Sequence, residues 1–336
     1  MDFKKIFIKG ACPTSIGGQA IMNGIMMRGP VRTATAIRLH DGTIHLKTEP
    51  TPKVPKIGQI PFVRGVVNFV MSLVNGTKVL MDSADVLEKD EPDNYEPDKF
   101  DLWIEKKFGK EKGWKIILSL SVILALFLSV GIFILLPTVV IGALSGVVKS
   151  VLVLNLIEGA FRMLIFILYV FLISKQKDIN IVFQYHGAEH KTIHCFENNL
   201  ELTPENAQTF YTLHPRCGTS FLMFVMIVAV LVHALMGWPN MWLRILTRIL
   251  VLPIIAGISY ELLRWAGRSD SKVIRFLSLP GIYLQKLTTK EPNNEELEVA
   301  IVALKAVIPN EDESKVPYFT KIVDSNGQEI ENKGSN

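Results

Sequence analysis

Residues 184–220 read QYHGAEHKTIHCFENNLELTPENAQTFYTLHPRCGTS, and the rest of the chain is organised around this stretch. It contains four of the seven histidines and two of the three cysteines. Hydrophobic segments long enough to cross a bilayer lie on both sides of it, at about 150–173 and 219–236. A polar stretch rich in metal-binding residue types, held between two such segments, predicts a site at a membrane surface.

The composition supports a membrane protein with soluble parts. The 336 residues are 49% hydrophobic, and the mean hydropathy is +0.30, which is high for a soluble globular protein. The net charge of +4 is too small to suggest nucleic acid as a partner. Three cysteines give no disulfide framework. The opening residues MDFKKIFIKGACPTS lack a long apolar core, so we expect no signal peptide and a cytoplasmic N-terminus.

Four spanning helices are expected, at about 116–136, 150–173, 219–236 and 243–263, each close to the length that a ~30 Å hydrocarbon core requires. Pro137 is expected to end the first. The apolar run from 139 to 173 is too long for one crossing, so 138–149 is predicted to be a short interfacial or re-entrant piece. The sequence therefore predicts a mainly α, polytopic helical membrane protein, with a small N-terminal β-hairpin region and cytoplasmic amphipathic helices.

Basic residues flank the predicted spans unequally. Cations precede the first span, open the histidine stretch and follow the fourth span: Lys106, Lys107, Lys110, Lys112, Lys115, Lys175, Lys177, Arg264, Arg268, Lys272 and Arg275. The 137–149 connection has only Lys149, and the tryptophan-rich turn GWPNMW has no cation. Because cytoplasmic segments carry the excess of lysine and arginine, we expect both termini and the histidine stretch in the cytoplasm. Arg244 and Arg248, at the outer end of the fourth span, oppose this assignment.

The flanking segments carry weaker local signals. The glycine-rich residues 16–30 are interpreted as a close-packed turn segment. Residues 33–48 alternate in polarity around Asp41-Gly42, which predicts a β-hairpin. Residues 62–87 predict a long amphipathic helix that lies on the bilayer, packs on the membrane domain or binds a partner. Asn293 followed by Glu296 predicts the start of a helix over about 294–307.

These signals divide the chain into seven regions. They are a cytoplasmic glycine-rich segment and hairpin (1–61), an amphipathic helix with an acidic linker (62–115), spans one and two (116–173), a cytoplasmic His/Cys loop (174–218), spans three and four (219–263), a cytoplasmic amphipathic region (264–308) and a disordered tail (309–336).

The histidine stretch contains the spacing H-x-x-E-H at His186, Glu189 and His190. Residues four apart lie on one face of a helix, so the two imidazoles can share a divalent metal such as zinc, with Glu189 as a base for water. The third ligand is expected from His214 or Cys217, in the segment HPRCGT. Two alternatives stay open: a purely structural polar cluster, or Cys217 as a nucleophile at a helix N-terminus. Glu197, Glu201 and Glu205 are alternative carboxylate ligands.

Within the second predicted span, Glu158 and Arg162 stand four residues apart, with Asn155 on the same face. Charged residues at membrane depth usually pair inside the helix bundle. We therefore expect an internal structural ion pair here, with His233 as a hydrogen-bonded packing residue.

Five segments occur together, in this order, between about Ile16 and Val307: GGQAIMNGIMMRGP, PFVRG, YHGAEHKTI, HPRCGTSF and TTKEPNNEELEVAI. In this combination the chain resembles the YqhQ-like family of bacterial membrane proteins. The resemblance implies a multi-pass protein of the bacterial inner membrane, in a family described as uncharacterised or as a predicted metal-dependent enzyme. The family's metal motifs would correspond to His186, Glu189, His190, His214 and Cys217.

Two functions follow as hypotheses. The first is a membrane-embedded, metal-dependent hydrolase with its site at the cytoplasmic membrane face. The second is a non-catalytic membrane factor that uses the 62–87 helix to bind another membrane complex, such as protein-translocation or insertion machinery. A transporter has little support, since no paired broken helices are evident. The expected partners are the lipid bilayer and, through that helix, a membrane protein; the oligomeric state is left open.

Overall fold

The computed structural model describes residues 14–90, 103, 107, 109–266, 272–309 and 318–330. The chain forms two compact units. The sheet unit comprises Met1–Leu87, Val170–Val225 and Ala256–Asn336, and the span unit comprises Glu88–Tyr169 and Met226–Ile255. Most of the predicted acidic linker at 88–101 lies outside the described residues.

Five described strands form one antiparallel sheet in the order β1-β2-β3-β4-β5. They are β1 (Gly17–Ile21), β2 (Gly24–Arg28), β3 (Arg32–Arg38), β4 (Ile44–Pro50) and β5 (Thr320–Val323). The predicted hairpin is confirmed, since β3 and β4 pair with Arg38 opposite Ile44. Gly42 has a φ of +85°, and the Asp41 carboxylate accepts the Thr43 amide at 2.8 Å, so Asp41-Gly42 does build the turn.

The glycine-rich segment is a second hairpin, and the interpretation as turns alone is wrong. β1 and β2 pair from Gly17↔Arg28 to Ile21↔Gly24, and Asn23 turns the chain with a φ of +47°. Gly24 is required for packing, because a Cβ there would lie 2.2 Å from the carbonyl oxygen of Ala36 in β3.

The predicted disorder of 309–336 is wrong for residues 318–330. β5 lies within them and pairs with β4, with Val323 opposite Ile44. Thr48 and Phe319 also exchange backbone and side-chain hydrogen bonds of 2.8–3.4 Å beside that ladder. A strand of four residues is too short to give a clear periodic signal, and the free edge of β4 provides its hydrogen-bond partners.

Ten α-helices in the described part of the chain lie between β4 and β5. They are α1 (Val63–Asp90), α2 (Lys110–Val130), α3 (Leu136–Gly142), α4 (Val151–Ile173), α5 (Lys177–Glu197), α6 (Pro204–Gln208), α7 (Gly218–Ala234), α8 (Met241–Ala266), α9 (Lys272–Thr288) and α10 (Asn294–Lys305).

The core of the sheet unit lies between the sheet and helices α5 and α10. Ile25 and Met27 of β2 and Leu297 of α10 are fully buried in it, next to Tyr185 of α5. The predicted start of α10 is confirmed: Asn293 and Glu296 form a reciprocal capping box, with bonds of 2.9 and 2.7 Å.

The segment predicted as a loop, 174–218, is largely helical, because α5 begins at Lys177 and α6 follows it.

The predicted amphipathic helix at 62–87 is confirmed as α1. Its first turns pack closely on the end of α8, where a Cβ on Gly65 would lie 2.9 Å from the Gly257 Cα. The Arg64 guanidinium donates to the Glu261 carboxylate beside this contact. Another face of α1 is exposed and apolar and includes Phe69, Val70, Leu73 and Val74.

Among the described residues, three helical segments are long and apolar enough to cross a membrane: Ile116–Gly146, Val151–Ile173 and Met241–Trp265. The predicted third span is the shorter apolar helix α7, of 17 residues. The expectation that Pro137 ends the first helix is wrong. A π-helical turn at Gly131–Leu135 precedes α3, so Pro137 falls in the first turn of the next helix, where its missing N–H is tolerated.

Candidate metal centre

Helix α5 brings His186 and His190 side by side, one turn apart, with ring centroids 4.6 Å from each other. The helix can approach its neighbours closely because residue 187 is glycine. A Cβ at Gly187 would lie 2.0 Å from the carbonyl oxygen of Lys290. This part of α5 is therefore held against the segment that joins α9 to α10.

Backbone carbonyls orient both imidazoles. Nδ1 of His186 donates to the carbonyl of Thr288 at 2.8 Å, and Nδ1 of His190 donates to the carbonyl of Thr212 at 2.5 Å. Because a carbonyl only accepts, each Nδ1 must carry a hydrogen, and Nε2 is therefore the nitrogen of each ring that can offer a lone pair once it carries no proton. Metal-binding histidines are typically oriented in this way.

Cys217 meets these two rings. Its Sγ lies 3.2 Å from Nε2 of His186, and one donor atom from each of His186, His190 and Cys217 lies within 4.8 Å of the others. Nε2 of His190 is buried and has no hydrogen-bond partner among the described residues. A buried ring nitrogen without a partner is costly, and a bound cation would satisfy it.

The electrostatics favour a thiolate at residue 217. Burial alone would raise the pKa of Cys217, but the His190 and His186 rings outweigh burial and hold it well below its usual value. Burial lowers the pKa of His186, but the attraction of the Cys217 thiolate outweighs burial and raises that pKa to about 9. The thiolate is the form of cysteine that binds metals.

Glu189 lies on the β1 side of α5. Its Oε1 accepts the Gly18 amide hydrogen at 2.7 Å. Burial raises the pKa of Glu189, and the neighbouring His190 and His186 rings oppose that shift. Glu189, the predicted base, therefore lies close enough to both imidazoles to feel their charge, and the backbone of β1 fixes one of its carboxylate oxygens.

His214 has a different environment from the other predicted ligands, and it is not part of the three-residue group. Its Nδ1 accepts the Arg216 amide hydrogen at 3.2 Å, and its Nε2 lies 3.8 Å from Oε2 of Glu197. Burial lowers its pKa to about 3, so the ring is neutral. Its centroid is 5.5 Å from that of His190, so His214 packs behind the centre.

Glu197, considered above as a metal ligand, instead fixes the HPRCG segment. Its carboxylate accepts two hydrogen bonds from Thr14, both of 2.9 Å, and an ion pair from Arg216. Burial opposes ionisation, but the contacts with His214, Thr14 and Arg216 outweigh it and lower the pKa of Glu197 to about 2. This network holds the residue next to Cys217 in place.

Sequence reasoning missed Gln285 of α9. This side chain is fully buried and forms two bonds with the backbone of His214, accepting its N–H at 2.8 Å and donating to its carbonyl at 2.9 Å. No local signal singled it out, because α9 carries several other polar residues, among them Ser278, Lys286 and Thr288.

The comparisons with known proteins agree on one family. The family described as "Protein of unknown function (DUF1385)" matches residues 60–310, which include the whole candidate centre. The chain is 36% identical over 310 residues to the "Uncharacterized protein YqhQ" of Bacillus subtilis (strain 168), covering 89% of this chain and 94% of that protein. No solved structure matches. The chain therefore belongs to the DUF1385 family, and the resemblance to YqhQ found in its motifs is confirmed.

Proposed function

We propose that this protein is a membrane-embedded, metal-dependent hydrolase in which His186, His190 and Cys217 hold one divalent cation, such as zinc. One observation carries the proposal: the buried Nε2 of His190 has no partner among the described residues, and His190 forms one group with His186 and Cys217 whose possible ligand atoms lie within 4.8 Å of one another. Imidazole nitrogens and a cysteine thiolate are both zinc ligands, and three protein ligands are typical of catalytic sites.

The remaining residues fit a hydrolytic role. When bound, the metal supplies a Lewis acid that polarises oxygen atoms. Glu189 serves as the proton acceptor, because burial raises its pKa and so makes the carboxylate a stronger base. The Gly18 amide holds one oxygen of that carboxylate in place. The Thr288 and Thr212 carbonyls keep Nδ1 of each histidine protonated, so that Nε2 is the donor atom.

Metal analysis of the purified full-length protein tests the proposal. Wild type should contain about one equivalent of divalent metal per chain, the ratio expected of a single mononuclear site. The double variant His186→Ala/His190→Ala should contain almost none, because two of three ligands are gone. Elemental mass spectrometry after dialysis against buffer free of chelator measures the content.

His194→Gln is the matched control for that experiment. It removes a third imidazole from α5, but Nε2 of His194 bonds the Leu213 carbonyl at 3.1 Å, a contact that a glutamine amide can replace. Its metal content should equal that of wild type. A wild-type protein as poor in metal as the double variant would exclude the proposed centre.

We also propose four spans, with both chain ends and the centre on the cytoplasmic side of a bacterial cell membrane. β1 to β4, α5, α10 and β5 share one core and one sheet, which supports their lying on one side of the membrane. The chain must then cross an even number of times between β4 and α5, and again between α5 and α10. Between β4 and α5, the two long apolar segments Ile116–Gly146 and Val151–Ile173 give two crossings. Between α5 and α10, Met241–Trp265 gives one crossing, so a second spanning helix is needed there. Helix α7, about 26 Å long, is the available one.

A second candidate function, docking on another membrane complex, is favoured by the exposed apolar face of α1. Val70 and Val74 are 50% and 61% exposed. A photo-crosslinking residue at position 70 should trap a defined protein partner in native membranes, because exposed apolar patches of this kind mark interaction surfaces. The same probe at the buried position 83 is the control and should trap none. Adducts with lipid alone at position 70 would assign this face to the bilayer instead.

A further inference from the structure

The span unit contains a buried charge cluster that the proposed hydrolase does not use. Glu158 of α4 is fully buried and accepts hydrogen bonds from Arg162 at 3.0 Å and from both terminal nitrogens of Arg248 at 2.7 Å. The predicted Glu158–Arg162 pair is therefore confirmed, within a larger group. Thr138 links a third arginine, since its hydroxyl donates to Glu158 at 3.0 Å and its carbonyl accepts Arg244 at 2.8 Å.

The charges of this cluster do not balance. Three arginines surround one carboxylate, and Glu158 is the sole acidic residue in segments 112–177 and 206–260 of the sequence. His233, which approaches Arg162 at 3.4 Å, adds no negative charge. Arg244 and Arg248 are only 4% and 5% exposed. Buried cations without counter-charge are costly in protein and more so at membrane depth, so two positive charges here need an anion.

The hydrogen-bond donors of the three arginines also indicate a missing anion. Nε of Arg162, of Arg244 and of Arg248 is in each case buried without a hydrogen-bond partner in the part of the chain that the structure describes. The Arg162 side chain keeps 16% of its surface exposed, which gives the cluster an opening. Guanidinium groups are the residues of choice for binding phosphate, because their N–H groups match its oxygen atoms.

We propose that Arg162, Arg244 and Arg248 form a binding site for a phosphate group, carried either by the headgroup of an anionic lipid or by a soluble phosphate compound. Glu158 holds Arg162 and Arg248 in place and neutralises one of the three charges. Arg244 is also stacked on the Trp238 ring, with its guanidinium carbon 4.1 Å from the ring centroid, which fixes its direction.

Thermal unfolding of delipidated full-length protein in detergent micelles tests the site. Wild type is titrated with inorganic phosphate in one arm and with phosphatidylglycerol in the other, and phosphatidylcholine serves as the zwitterionic reference. We expect a saturable rise in Tm with at least one of the two anions. Arg244→Gln should weaken that apparent affinity about tenfold or more, as loss of a hydrogen bond to a charged group predicts. Lys149→Gln removes an exposed cation and should behave as wild type.

Each outcome decides the question. A response to phosphatidylglycerol alone assigns the site to a lipid headgroup, a response to phosphate alone assigns it to a soluble ligand, and a response to both assigns it to the phosphate group itself. A wild type that responds to neither anion overturns the proposal, as does an Arg244→Gln variant with unchanged affinity. If Arg244→Gln does not fold, Arg244→Lys keeps the charge without the planar fork and should show weakened binding, and the wild-type titration still decides.

Discussion

Replacing Glu158 with glutamine is expected to lower the free energy of unfolding by about 3–5 kcal/mol, the range seen when one partner of a buried ion pair is removed. The carboxylate is fully buried and accepts bonds from Arg162, Arg248 and Thr138. Glutamine keeps the shape but loses the charge, so the buried Arg244 and Arg248 and the half-buried Arg162 are left with no carboxylate of the cluster beside them. Denaturant titration in detergent, followed by circular dichroism, measures the change.

Glu205→Gln provides the control for that experiment. Glu205 is an exposed carboxylate at the start of the short helix α6, where loss of charge should cost at most about 1 kcal/mol. The double variant Glu158→Gln/Arg248→Gln should recover part of the stability, because it also removes one of the unpaired cations. Wild-type stability in the single Glu158 variant would show that this carboxylate does not hold the arginines.

Replacing Gly187 with alanine is expected to cost about 1–3 kcal/mol and to reduce metal binding at the proposed centre. Without a steric clash, alanine would stabilise a helix interior by about 1 kcal/mol relative to glycine. A loss of stability would therefore indicate that the added Cβ clashes. The added Cβ would lie 2.0 Å from the Lys290 carbonyl oxygen and 3.1 Å from Cγ2 of Thr212. The first is a backbone atom, and α5 must therefore move, which displaces His186 from the carbonyl of Thr288.

Thermal unfolding and metal content of the Gly187→Ala protein are the two measurements. Gly131→Ala is the control, because a Cβ at this helical glycine meets no atom within 4 Å in the described structure. That variant should keep its metal and be neutral or slightly stabilised. A Gly187→Ala protein more stable than wild type would contradict the close contact between α5 and the residue 290 segment.

Local signals predicted the elements that local chemistry determines. Asp41-Gly42 marked a hairpin because its turn is formed by these residues and Thr43. Asn293 and Glu296 marked the start of α10 because the capping bonds lie within one turn. Long-range contacts decide the elements that were missed. β1 and β2 are short and rich in glycine, and β5 obtains its partners from β4, more than 270 residues earlier.

The candidate centre was predictable in part for the same reason. Helical spacing places His186 and His190 on one face, and this needs no tertiary information. The choice between His214 and Cys217 does need it. The two residues lie three positions apart, and the Glu197–Arg216 pair and Gln285 turn the backbone so that the thiol reaches His186 while His214 faces Glu197.

Arg244 and Arg248 show how tertiary contacts change the meaning of a sequence signal. By position they opposed the assigned orientation, since arginine favours the cytoplasmic side. In the structure Arg248 pairs with Glu158, and Arg244 bonds the Thr138 carbonyl and stacks on Trp238. Their placement is therefore explained by contacts within the helix bundle.

The strand order of the sheet has a consequence for biosynthesis. β1 to β4 leave the ribosome first, yet the helix that covers them, α10, and the strand that closes their edge, β5, are translated after the last apolar helix. The nascent N-terminal hairpins therefore keep Ile25 and Met27 uncovered until α10 has been synthesised. Slower elongation over that interval should lengthen the time in which these apolar side chains can aggregate or bind chaperones.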